Sequence, residues 1–132
     1  MKVELFAHPD CWKFKEEHPD EWENYGCGAS KGLGDALVPD TMYGLSVRNA
    51  CRIHDWYYGF WPYDTEEGRE LADRVFRNNL LRIVRVKTAN AILRFLRERR
   101  CITYYKAVRN FGAEHYFAGR NFKEEMQEVN CE

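Results

Sequence analysis

A helix that crosses a bilayer needs roughly 18 or more consecutive apolar residues, and the 132-residue chain has no such run. Its opening, MKVELFAHPDCW, holds an apolar patch far shorter than the core of a secretory leader. The expected product is therefore cytoplasmic as made, and meets lipid only if it is delivered by another route or is virion-associated. Cysteines number five, at 11, 27, 51, 101 and 131, too few and too odd in number for a disulfide-built scaffold. No CxxC pair occurs, and the set His8, Cys11, His18 and Cys27 has the spacing of no compact zinc module. Nothing is of low complexity and nothing reads as a linker, so residues 1–132 are expected to form a single domain, large enough to bury a core without staples.

A net charge of −1 hides an uneven distribution. Residues 1–68 carry 6 Lys/Arg against 13 Asp/Glu, residues 69–109 carry 12 against 3, and residues 110–132 carry 2 against 5. A basic middle between acidic ends implies internal complementarity or a surface that meets phosphates. No nucleic-acid-reading module accompanies the arginines, so no specific nucleic acid is expected as a partner.

Helical periodicity dominates the centre. One helix is expected from Tyr43 or Gly44 to Tyr58, stopped by Gly59. Asp64 and Glu67 have the spacing of a capping box that opens a second helix over 66–86, whose apolar stripe is Phe76, Leu80, Ile83 and Val84. That helix either continues to Arg100 or breaks near KTAN, and a further helical stretch, ITYYKAVRNFG, ends at Gly112. Residues 1–24 read as an irregular N-terminal segment, with HPD at 8–10 and again at 18–20 favouring turns. YGCGASKGLGDALVPD (25–40), with four glycines and a proline, reads as a long loop of the kind that is usually functional. The fold class is thus mainly α.

The stretch ACRIHDWYYGF (50–60) concentrates chemistry. On a helix, Val47, Cys51, His54 and Tyr58 share one stripe, and Asp55 lies about 100° round from His54. A short connection makes the two helices antiparallel neighbours, which brings Asp73 within reach of His54. A carboxylate on one imidazole nitrogen fixes the tautomer and leaves the other as a base. Asp55, facing a loop with outward carbonyls, has the makings of a calcium site. Calcium plus a His–Asp pair that activates water would hydrolyse an ester without a nucleophilic side chain.

At these residues the chain resembles the phospholipase A2 superfamily. CRIHDWYY resembles the family's C-x-x-H-D-x-x-Y signature, ADRVF the segment with its second catalytic aspartate, and YGCGASKG the start of its calcium loop. The short gap from His54 to Asp73 is similar to the compact form in parvovirus capsid proteins and in bacterial and prophage proteins, and VPDTMYGLSVRNACRIHDW and YYKAVRNFG also look like that group. The resemblance covers 25–80 well, 100–112 loosely and the first 24 residues not at all.

It implies a phospholipase A2-like fold, in which two antiparallel helices carry the His–Asp dyad beside a Gly-rich loop and a further C-terminal helix. It implies calcium-dependent hydrolysis of the sn-2 acyl ester of phospholipids, with His54 as general base, Asp73 orienting it and Tyr58 hydrogen-bonded to Asp73. Asp55 would be the calcium carboxylate, and the carbonyls of Gly28, Ser30 and Gly32 would complete the shell. A loop at 34–38, counted back from the histidine, competes with 28–32, which the Y-G-C match prefers. Cys27 and Cys51 would form the family's bridge between loop and helix; from its position alone, Tyr105 is expected as a second partner of Asp73. The partner would be a phospholipid or membrane surface, met by the aromatic cluster Trp56, Tyr57, Phe60 and Trp61. The alternative is an inactive relative of this fold with a structural or binding role in a phage particle.

Overall fold

A computed structural model describes residues 2–25 and 39–120. The chain is mainly helical, with one small two-stranded sheet. In order, the elements are α1 (Pro9–Glu17), α2 (Pro19–Asn24), β1 (Thr41–Met42), β2 (Leu45–Ser46), α3 (Arg48–Phe60), α4 (Glu66–Lys87), α5 (Ala91–Phe111) and α6 (Ala113–Phe117).

The N-terminal segment corrects the expectation of irregular structure, because both HPD repeats open helices. Each proline takes the first helical position, where its missing N–H costs nothing, and the His8 ring accepts the Asp10 N–H at 3.1 Å. Residues 2–7 lie alongside α4 without regular structure. The Asn79 amide holds both backbone groups of Phe6, at 2.6 Å to its N–H and 2.8 Å to its carbonyl, and Arg82 donates to the Glu4 carbonyl.

The first long helix starts later than its periodicity suggests. Tyr43 and Gly44 both take positive φ (47° and 79°), the pairing that a two-residue hairpin turn requires, so β1 and β2 precede α3. Arg97 clamps this turn through the Tyr43 carbonyl at 2.6 Å. The helix also runs past Gly59 to Phe60. It ends where Pro62 holds the residue before it, Trp61, in extended backbone. The second long helix lies where expected, but its cap is Thr65, whose Oγ1 accepts the Gly68 N–H at 3.1 Å. Asp64 instead binds Arg120 at 2.8 Å. The break falls at 88–90, within KTAN, and the Asn90 side chain caps α5 by accepting the Leu93 N–H.

α3 and α4 are antiparallel. His54 packs on Phe76 while Tyr58, one turn on, reaches back to Asp73. Val47, Cys51, Phe76 and Leu80 are buried together between them, with Cys101, Tyr104 and Val108 of α5 closing the layer. A second, aromatic cluster lies between α1–α2, α3 and α6, and includes Trp22, Trp56, Tyr57, Trp61 and Tyr116.

Candidate functional site

The site is assembled where the end of α3 crosses the start of α4. Cys51, His54 and Tyr58 line up as the helical repeat requires, and Asp73 meets the latter two. His54 Nε2 lies 2.8 Å from Asp73 Oδ1, and the Tyr58 hydroxyl donates to the same oxygen at 2.7 Å. The His54 ring sits between Tyr58 and Phe76, at centroid distances of 4.3 and 4.4 Å, and is 5% exposed.

Asp73 is fully buried, and its other oxygen belongs to two arginines. Arg109 of α5 donates to Oδ2 at 2.7 Å and Arg69, one turn earlier on α4, at 3.4 Å. Tyr105 was the expected second partner, but it faces Arg77, whose guanidinium stands 5.1 Å from its ring centroid. Arg109, four residues further along α5, reaches Asp73 in its place. Arg69 also donates to the carbonyls of Val108 and Arg109, at 3.0 and 3.2 Å, and so satisfies the C-terminal end of α5. Glu66 binds both guanidiniums.

Burial alone would raise the Asp73 carboxyl. The hydrogen bonds and charges of His54, Tyr58 and Arg109 outweigh it and hold the group below its ordinary value. Tyr58 is pushed upward, first by burial and then by the Asp73 charge, so its hydroxyl stays a proton donor to that carboxylate.

Asp55 lies on the wall of a cleft of about 660 Å³ that Tyr58 and Tyr25 also line. The Tyr25 hydroxyl is pushed up to about 12 by burial and then by the Glu21 and Asp55 charges. His115 of α6 faces the same cleft and stacks on Tyr58, with centroids 6.0 Å apart. Burial, then the proximity of His54, lowers its pKa. Arg120 also lines the cleft and donates to the carbonyls of Tyr57, Tyr58 and Trp61.

The residues expected to hold calcium are thus seen only in part. Gly28, Ser30 and Gly32, the competing segment 34–38, and Cys27 lie outside the described residues. Cys51 is disulfide-bonded, while Cys11 and Cys101 are free thiols. Among the described residues no three His, Cys, Asp or Glu side chains converge on one point. Asp55, which lines the cleft together with Asp64, fits a calcium shell built mainly from backbone oxygens, since that ion takes roughly six to eight oxygen ligands, few of which need charge.

The expected lipid-facing cluster is mostly core. Trp56, Tyr57 and Trp61 are buried, and only Phe60 is half exposed. Of the residues that sequence reasoning missed, Arg69 had a visible signal in its i,i+4 spacing to Asp73 on one helix face. Arg109 and His115 had none, because tertiary packing of α5 and α6 brings them in. Comparison with protein-family models, with curated proteins and with solved structures finds no match.

Proposed function

We propose that this chain is a phospholipase A2-like hydrolase that cleaves the sn-2 acyl ester of phospholipids with calcium. The observation that carries the reading is the shared oxygen of Asp73, which His54 and Tyr58 both reach from one face of α3. With the proton on Nε2, donated to Asp73, His54 keeps a lone pair on Nδ1 with which to take a proton from water. Asp55, the adjacent residue, would hold the ion with the carbonyls of Gly28, Ser30 and Gly32. Bound calcium supplies positive charge for the phosphate and for the ester oxygen as it becomes anionic. The cleft beside Tyr58 is large enough for a head group and ester, by the usual range of roughly 300–1,000 Å³ for small-molecule sites.

A second reading has its own observation. Asp73 spreads its charge over two guanidiniums as well as His54, and His54 is nearly covered. A carboxylate so engaged has less to offer a protonated imidazole, which is the pattern of a structural anchor in an inactive relative of the fold.

Calcium titration calorimetry beside a fatty-acid release assay separates the two. His54→Gln should bind calcium and lose hydrolysis. Asp55→Asn should lose calcium affinity first, because loop carbonyls carry no formal charge to replace its own. Asp73→Asn should keep calcium and retain only part of the activity. Wild-type protein that binds no calcium at millimolar concentration would overturn the enzyme reading and leave the inactive relative.

A further inference from the structure

A second cleft, of about 390 Å³, opens on the other side of α3 and shares no lining residue with the first. Ile53 and Asn49 of α3 face it, and Asp55 lies two residues, about 200°, round the helix from Ile53. Its floor is apolar: Trp22, Ile53 and Ile83 are buried there, with Leu5 and Val3 half-buried along one side.

Its charged groups are all of one sign. Lys2 from the N-terminal segment, Lys15 from α1 and Lys87 from the end of α4 line it, and no acidic side chain does so among the described residues. None of the three makes a salt bridge among those residues. The Lys15 ammonium stands 5.9 Å from the ring centroids of both Trp12 and Trp22, so aromatic faces hold it at the cleft. Lys15 and Lys87 each lie in the last turn of a helix, where the dipole favours a cation, but neither that nor the indole rings accounts for gathering both with Lys2 round one cleft. Three ammonium groups round one apolar hollow repel one another, and an anion at the mouth would relieve that repulsion.

We propose that this cleft binds a fatty acid, its alkyl chain on the Trp22–Ile53–Ile83 floor and its carboxylate among Lys2, Lys15 and Lys87. The volume lies at the lower end of small-molecule sites, which run from roughly 300 to 1,000 Å³. A single chain suits that space better than a two-chain lipid. Trp12 and Trp22 make the site reportable, since a heavy atom on the chain quenches indole fluorescence on contact.

The test is titration of the full chain with ω-bromoundecanoate below its aggregation threshold, beside the matching uncharged ω-bromoundecanol. Saturable quenching is expected with the acid. It should weaken by about tenfold (about 1.4 kcal/mol) when Lys2, Lys15 and Lys87 are all changed to Gln. Molar salt should weaken it too, whereas Phe60→Ala and His115→Ala, in the other cleft, should leave it unchanged. The three lysines are exposed, so their removal should leave the fold intact, as circular dichroism would show. Equal quenching by acid and alcohol, undiminished binding in the lysine variant, or loss of binding on changing the other cleft would each overturn the proposal.

Discussion

Asp73 ties three helices together. It accepts from His54, Tyr58, Arg69 and Arg109 while fully buried. Removing one donor should cost little and removing the acceptor should cost much. Tyr58→Phe is expected to lose about 1 kcal/mol, the net worth of one hydrogen bond. Asp73→Ala leaves the buried His54 and Tyr58 donors without their acceptor, while Arg69 keeps Glu66, and should lose about 2–6 kcal/mol in denaturant unfolding, at about 1–3 kcal/mol for each stranded group. The pH dependence has a definite sign. The folded chain holds this carboxyl below its ordinary value, so ionised Asp73 adds stability above about pH 4. That contribution is lost as acid carries the pH down through the folded value. Asp73→Asn should therefore flatten the acid limb of the stability curve below about pH 4, measured by urea midpoints. His54, Tyr58 and Asp73 were legible because a helical repeat and a short connection suffice to align them. Arg69 had its i,i+4 spacing on the same helix, whereas Arg109 needed the path of α5, which no local pattern fixes.

Two glycines inside helices show how an element can be read correctly in extent and wrongly in its ends. Gly59 has the look of a helix stop, yet α3 passes through it, and the proline at 62 sets the end instead. A Cβ added at Gly59 meets nothing among the described residues within 4 Å, whereas one at Gly68 would stand 2.5 Å from the Tyr63 carbonyl oxygen. Gly59→Ala should therefore stabilise by about 0.5–1 kcal/mol through helix propensity. Gly68→Ala should destabilise by about 1–3 kcal/mol, because backbone must move to admit the methyl. Thermal unfolding of the pair checks the opposite signs. Helix ends were the least legible feature for a physical reason: caps compete over single hydrogen bonds. Thr65 takes the cap of α4 that Asp64 was expected to hold, and Asp64 pairs with Arg120.

The whole molecule is drawn together by contacts distant in sequence. The first 24 residues looked irregular since short helices opened by prolines carry little periodicity, and residues 2–7 have no regular structure to announce them. Their place is fixed by Asn79, itself fully buried, through both backbone groups of Phe6. Asn79→Ala leaves those two groups without their partner and should cost about 2–3 kcal/mol. Hydrogen exchange should then show residues 2–7 losing protection while α4 and α5 keep theirs.

The same tether sets an order of events during synthesis. Asn79 follows Phe6 by 73 residues. At translation rates of about 5–20 residues per second, the N-terminal segment waits roughly 4–15 seconds for the amide that will hold it. Val3 and Leu5, which later pack on the core, spend that interval without it. A segment made well before α4 thus finds its place only after that helix exists, and the cleft whose side it forms is complete only once α4 has left the ribosome.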